Sequence, residues 1–148
     1  MYIPMPEIYR WGLIGAGRIG KAYADSLPLF PGLQLAWSAD PAIPDSPQFP
    51  AVLDDAPIDA ALVCSPPDTH FPICVELLSR RIPTLCEKPV ALTAAQAGEL
   101  AHLAAANNTL FSQPAKFRGV PEVQEALRRI AAGDIGELRS IQVTFASP

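Results

Sequence analysis

The chain has 148 residues, 49% of them hydrophobic, enough to bury one sizeable core within the usual single-domain range. Eleven Lys and Arg against 15 Asp and Glu leave a formal net charge of −4, so no basic field exists to hold nucleic acid or an anionic membrane. Cys64, Cys74 and Cys86 are odd in number and lack C-x-x-C spacing, which argues against a disulfide framework and against a metal site.

A reducing, cytoplasmic setting fits that cysteine usage. Met1 to Arg10 has no basic segment followed by a long apolar stretch, and no apolar run approaches membrane-spanning length, so a soluble chain that is not exported is expected.

Trp11 to Ile14 reads as a buried strand, and Ile19 to Leu27 as a helix stopped near Pro28, which lacks an amide donor and clashes with the preceding turn. Leu33 to Ala39 is the second strand, bounded by Pro31-Gly32 and Asp40-Pro41. Between Asp40 and Asp59, prolines at 41, 44, 47, 50 and 57 forbid a regular crossover helix, so an extended or turn-rich connection is expected. Such a connection covers less of the sheet and shapes the adenine side of any nucleotide site differently.

Ala60 to Cys64 is a continuous apolar run of the kind a parallel sheet buries on both faces. The spacing of Ile73 with Leu77 and Cys74 with Leu78 predicts a helix over Thr69 to Arg80, with Pro72 in its first turn. Thr84 to Cys86 is a further short buried strand. Thr93 and Gln96 have capping-box spacing ahead of an alanine-rich helix running to about Asn107. Leu110 and Phe111 suggest another strand. Pro121 opens a helix with Val123, Leu127 and Ile130 on one side, Gly133 closes it, and Leu138 to Phe145 alternates like a final strand. Alternating strands and helices with short connections give an α/β fold with a doubly wound parallel sheet, whose ligands bind at the carboxyl ends of the strands.

Gly15-Ala16-Gly17-Arg18-Ile19-Gly20 sits between the first strand and the first helix. Gly15 permits the tight turn, Gly17 lets the backbone approach a pyrophosphate, and Gly20 lets the helix pack closely on the strand. The free amides at the helix start would then face the phosphates. Asp40 closes the second strand 20 positions after Gly20, the offset at which a carboxylate accepts from a ribose 2′-hydroxyl. The bland alternatives are a purely structural turn at the glycines and an ordinary turn start at Asp40-Pro41. No Lys or Arg lies between positions 41 and 51 to meet a 2′-phosphate, so NAD is preferred over NADP.

Three further motifs follow in order: Ser65-Pro66-Pro67-Asp68-Thr69-His70 after one buried strand, Glu87-Lys88-Pro89 after the next, and Ala115-Lys116-Phe117-Arg118 ahead of a helix and Gly133-Asp134-Ile135-Gly136. With the glycine loop, this set resembles the Gfo/Idh/MocA oxidoreductases, from about Arg10 to the end, with Glu87-Lys88-Pro89 the most specific element. The resemblance implies a Rossmann portion over residues 1–120, then a linking helix and only the first strand of a second α/β domain over 121–148. That second domain supplies most of the substrate pocket in the family.

It also implies roles. Gly15, Ala16, Gly17, Arg18, Ile19, Gly20 and Asp40 would hold the cofactor, Ser65 and Pro66 would border it, and His70 and Glu87 would lie near it. Lys88 would project toward the nicotinamide and the reacting hydroxyl as the catalytic candidate, with Glu87 orienting it or tuning its pKa. Arg118 matches an arginine at the domain junction, where Gly119 replaces the usual aromatic. The expected substrate is a sugar, cyclitol or related hydroxyl compound, and a homo-oligomer is an open option.

Blander readings stand beside these. Lys88 is alternatively an exposed lysine paired with Glu87, His70 a polar residue of a helix first turn, His102 a solvated surface residue, and Lys116 with Arg118 a solvated basic pair. Ser65 lacks the setting of a nucleophile elbow. The competing functional class is a stand-alone, non-catalytic dinucleotide-binding or subunit-docking module; a site no longer competent is the third.

Overall fold

The computed structural model describes residues 7–144. Five strands form one parallel sheet in the order β2-β1-β3-β4-β5, with β1 Tyr9–Ile14, β2 Leu33–Ala39, β3 Ala60–Val63, β4 Thr84–Cys86 and β5 Phe111–Ser112. The chain steps outward from β1 to β2, then crosses back to the other side of β1. This reversal leaves a crevice beyond the carboxyl ends of β1 and β3, the place where sheets of this kind bind ligands.

The period of the strands sorts side chains onto two faces. Leu13 and Leu62 join Leu27 on one face, with Tyr23 and Ala24 of α1 (Arg18–Ser26) packed against them. Ile14, Ala61, Val63 and Cys86 face the other way, onto Cys74, Leu77 and Leu78 of α3 (Pro67–Ser79) and Leu100 and Ala104 of α4 (Ala94–Ala106). Strands buried on both sides explain the unbroken apolar runs of β1 and β3.

Several local expectations are refined. Pro28 lies in a short 3-10 turn, Leu27–Leu29, that continues from α1. Helix α3 starts two residues earlier than its apolar spacing suggests, because Pro67 occupies the first position where a missing amide costs nothing; Pro72 therefore falls inside the helix and not in its first turn. Only half of the capping box at α4 forms: Thr93 Oγ1 accepts the Gln96 N–H at 3.2 Å, whereas Gln96 Oε1 is buried without a partner.

The proline-rich connection is turn-rich, as its composition requires, yet admits a single helical turn, α2 (Val52–Asp55). Val52 and Leu53 bury beside Trp37, whose indole Nε1 donates to Ala56 O at 2.9 Å. Trp37 fits because its neighbour in β1 is glycine: a Cβ on Gly12 would meet the indole at 2.5 Å. On the surface, Arg80, which caps the end of α3, pairs with Asp54 of α2 and with Glu76.

Residues from Ala115 onward form a second compact unit. It contains α5 (Pro121–Ala132), closed by Gly133 at φ 79°, as the sequence predicts. The expected strand over Leu138 to Phe145 is not formed: residues 138–144 have no regular structure, and Phe145 lies outside the described residues. The apolar alternation is real, with Leu138, Ile141 and Val143 all exposed, but no neighbour among the described residues offers that backbone a ladder of hydrogen bonds.

Candidate dinucleotide site

The glycine loop is fixed by its backbone. Gly15 sits at φ 91°, where a Cβ would lie 2.4 Å from the Ser65 amide nitrogen, and its own N–H donates to Ala39 O at 2.8 Å. Only glycine accommodates both the positive φ and the closeness of the β3 loop. Gly20 is buried, and a Cβ there would sit 2.0 Å from Gly15 O, so its absence lets the first turn of α1 close over the loop. Gly17 differs: it is the N-cap of α1, no side chain caps it, and a Cβ there meets nothing within 4 Å. The helix start thus opens onto free space with no acidic residue in its first turn, an arrangement suited to an anion.

Asp40 belongs to the same unit. Its Oδ2 accepts the Ala16 N–H at 2.7 Å and its Oδ1 accepts the Ala42 N–H at 2.9 Å. Ser46 holds the acid in place by accepting the Asp40 N–H at 2.8 Å and donating to Ser38 O at 3.2 Å. A carboxylate has about four lone-pair sites, so the two backbone donors leave capacity for a further pair of hydroxyl donors.

These elements border a cleft of about 780 Å³. Gly15, Gly17, Arg18, Ile19, Asp40, Ser65 and Pro66 line it, which brings seven of the sequence-predicted residues together. Ala16, Gly20, His70, Glu87 and Lys88 are not on its wall. The proline-rich connection, expected from the sequence to shape the adenine side, does line the cleft, but sequence reasoning did not name the residues it contributes, Pro41, Ala42, Pro47, Gln48 and Phe49, nor the lining by Cys64, Thr69 and Ile73. A signal existed, since Phe49 is the one aromatic in that connection, but nothing in a non-periodic segment says which way a side chain turns.

Behind the cleft, His70 is fully buried in the first turn of α3, with Nδ1 2.8 Å from Pro89 O and Nε2 2.8 Å from Ser65 O. Glu87 does not pair with the Lys88 ammonium. Its Oε2 accepts the Lys88 backbone N–H at 3.1 Å, and its Oε1 accepts the Tyr23 hydroxyl at 3.0 Å. Burial first, then the hydrogen bond and charge of Glu87, push the Tyr23 phenol up to about 12. Burial followed by the Glu87 charge does the same for the Cys64 thiol, also up to about 12, so this cleft cysteine stays a neutral thiol at pH 7. Lys88 is exposed, one strand along the same sheet edge from Ser65, and His102 is exposed on α4. Among the described residues, no three His, Cys, Asp or Glu side chains gather as a metal site, and no helix is long and apolar enough to cross a membrane.

Residues 9–113 match the profile of the GFO_IDH_MocA oxidoreductase family, described as having an NAD-binding Rossmann fold. The rhizopine catabolism protein MocA of Rhizobium meliloti is 27% identical over 88% of this chain and 44% of its own length. An inositol 2-dehydrogenase of Rhizobium meliloti is also 27% identical, over 94% of this chain and 46% of its own length. The chain thus spans less than half the length of these relatives. Among solved structures, an NAD binding oxidoreductase from Klebsiella pneumoniae superposes with a TM-score of 0.77 at 25% identity, covering 88% of this chain and 40% of that one. A scyllo-inositol dehydrogenase from Lactobacillus casei with bound NAD(H) and scyllo-inositol gives 0.80 at 20% identity, over 88% and 43%, a likeness of fold. The chain belongs to the Gfo/Idh/MocA oxidoreductase family, of which it carries the NAD-binding Rossmann portion.

Proposed function

We propose that this chain is the cofactor-binding portion of an NAD-dependent dehydrogenase acting on a hydroxyl carbon of a sugar, cyclitol or related compound. The observation that carries the reading is the union of Asp40 with the glycine loop through the Ala16 amide, beside a cleft that Asp40 and Gly17 both line. The residues fit the cofactor: amides at the start of α1 meet the pyrophosphate, Asp40 takes the adenosine ribose hydroxyls, and Pro41, Phe49 and Ile73 offer apolar surface to the base. NAD is favoured over NADP because Asp40 would repel a 2′-phosphate and residues 41–51 include no Lys or Arg to offset it.

When bound, the nicotinamide supplies the hydride acceptor or donor. Lys88 then acts on the substrate side: its ammonium donates a hydrogen bond to the reacting oxygen, stabilises negative charge as it develops there and helps pass the hydroxyl proton on. Glu87 fixes the peptide from which that side chain springs and leaves the ammonium free for substrate. The names of the relatives, inositol dehydrogenases among them, support a cyclitol or sugar as the substrate class.

Titration of the chain with NADH and NADPH by calorimetry or fluorescence tests this. NADH binding, tighter than NADPH binding and lost in Asp40→Ala and Gly17→Val, is the expected result. Failure of the wild-type chain to bind either nucleotide overturns the reading.

A further inference from the structure

We propose that Tyr23 is a positioning residue for Lys88, acting through Glu87. The inference rests on the role given to Lys88 above. Glu87 leaves β4 with its own N–H donating to Val63 O at 2.8 Å, so its backbone is an extension of the sheet. From there a single carboxylate joins two elements: Oε1 to the Tyr23 hydroxyl on α1, Oε2 to the amide of Lys88. The Tyr23 ring packs on the core face formed by Leu13, Leu27 and Leu62, so the phenol is itself held. Helix α1 begins in the glycine loop, and this tether therefore relates the phosphate-facing turn to the lysine turn directly.

The other side of the lysine turn is held by α3. His70 lies between Pro89 O and Ser65 O, 2.8 Å from each, and the tautomer decides which of the two carbonyls its ring N–H meets. Side chains from helices on opposite faces of the sheet thus flank the lysine turn, Tyr23 of α1 through the Glu87 carboxylate that accepts the Lys88 N–H and His70 of α3 against the Pro89 carbonyl, while no ion pair among the described residues takes the Lys88 ammonium. A turn fixed by its backbone with its charged end left free is what a side chain that must meet a ligand at a set distance requires. Glu87 held only for the sake of the fold would need no such link to α1.

The test compares NADH with ADP-ribose, which lacks only the nicotinamide ring, on the 148-residue chain and on Tyr23→Phe and Glu87→Gln, with the Lys88 amide followed by 1H–15N NMR. Tyr23→Phe should keep its ADP-ribose affinity within about twofold, lose roughly three- to tenfold for NADH, and shift the Lys88 amide resonance even without nucleotide. Glu87→Gln, which keeps an acceptor and the side-chain shape, should move the Lys88 amide in the same way. Equal losses for both nucleotides would mark Tyr23 as merely structural, and unchanged affinities with an unmoved Lys88 amide would overturn the proposal. A wild-type chain that binds neither nucleotide would instead remove the role given to Lys88, while the amide shift would still report whether the tether exists.

Discussion

The Ala16 amide donates to Asp40 Oδ2 at 2.7 Å, so the acid at the end of β2 and the turn at the end of β1 are one hydrogen-bonded unit before any ligand arrives. Removing that acid should therefore be felt twice. Asp40→Ala leaves the Ala16 and Ala42 amides without their acceptor and should cost about 1–3 kcal/mol of stability, read by denaturant unfolding, in addition to abolishing NADH binding. Asp40→Asn, which keeps an acceptor but loses the charge, should be milder on stability and still weaken NADH on the order of tenfold.

Gly17 and Gly20 should separate binding from folding. An alanine at 20 places its Cβ 2.0 Å from the Gly15 carbonyl oxygen, a backbone atom, and should destabilise the chain by roughly 1–3 kcal/mol or more. At 17 an added Cβ meets nothing within 4 Å, so Gly17→Ala should unfold within about 1 kcal/mol of wild type while losing NADH affinity, because Gly17 lines the cleft. Thermal melts beside titrations distinguish the two behaviours.

Alkaline stability should follow the buried acids. Tyr23 and Cys64 are both raised to about 12, from ordinary values of 10.0 and 9.0, so above pH 9 the unfolded chain gives up these protons while the folded chain keeps them. The unfolded state then binds fewer protons, and stability must fall as pH rises from about 9 to 12. After discounting for partial exposure, the loss by pH 11 should be on the order of 1 kcal/mol, and Cys64→Ala should flatten the slope. Urea denaturation across that pH range is the measurement.

The half-formed cap at α4 makes a local prediction. Thr93→Ala should cost about 1 kcal/mol, the usual worth of an N-cap acceptor, because the Gln96 amide loses its partner. Gln96→Ala should cost less, since its Oε1 already lacks a partner in the fold.

Much of this was legible from residue order because the relevant signals are local. β2 is bounded where Pro31-Gly32 and Asp40-Pro41 say it is, and the glycines at 15 and 20 meet the steric demand their spacing implies, whereas a Cβ at Gly17 would meet nothing within 4 Å. What escaped depends on partners distant in the chain. Gln96 matches the box pattern but is drawn into a buried position where its oxygen goes unmet. Leu138 to Val143 alternates as a strand should, yet alternation fixes only which side chains share a face and cannot supply the neighbour a strand needs. The contacts of His70 and Glu87 were equally invisible, because His70 meets the carbonyl of Pro89 and Glu87 the hydroxyl of Tyr23, partners 19 and 64 residues away.

The segment from Pro41 to Pro57 has one turn of helix and five prolines, and it forms the far side of the cleft. Proline rings restrict φ in the unbound chain, so a nucleotide base arriving there would find a shelf whose freedom is already largely spent. Rigidity that other layered sheets draw from a packed crossover helix is here written into the covalent chain itself, which lets the contour of that shelf vary by single substitutions without disturbing the hydrophobic layers beneath.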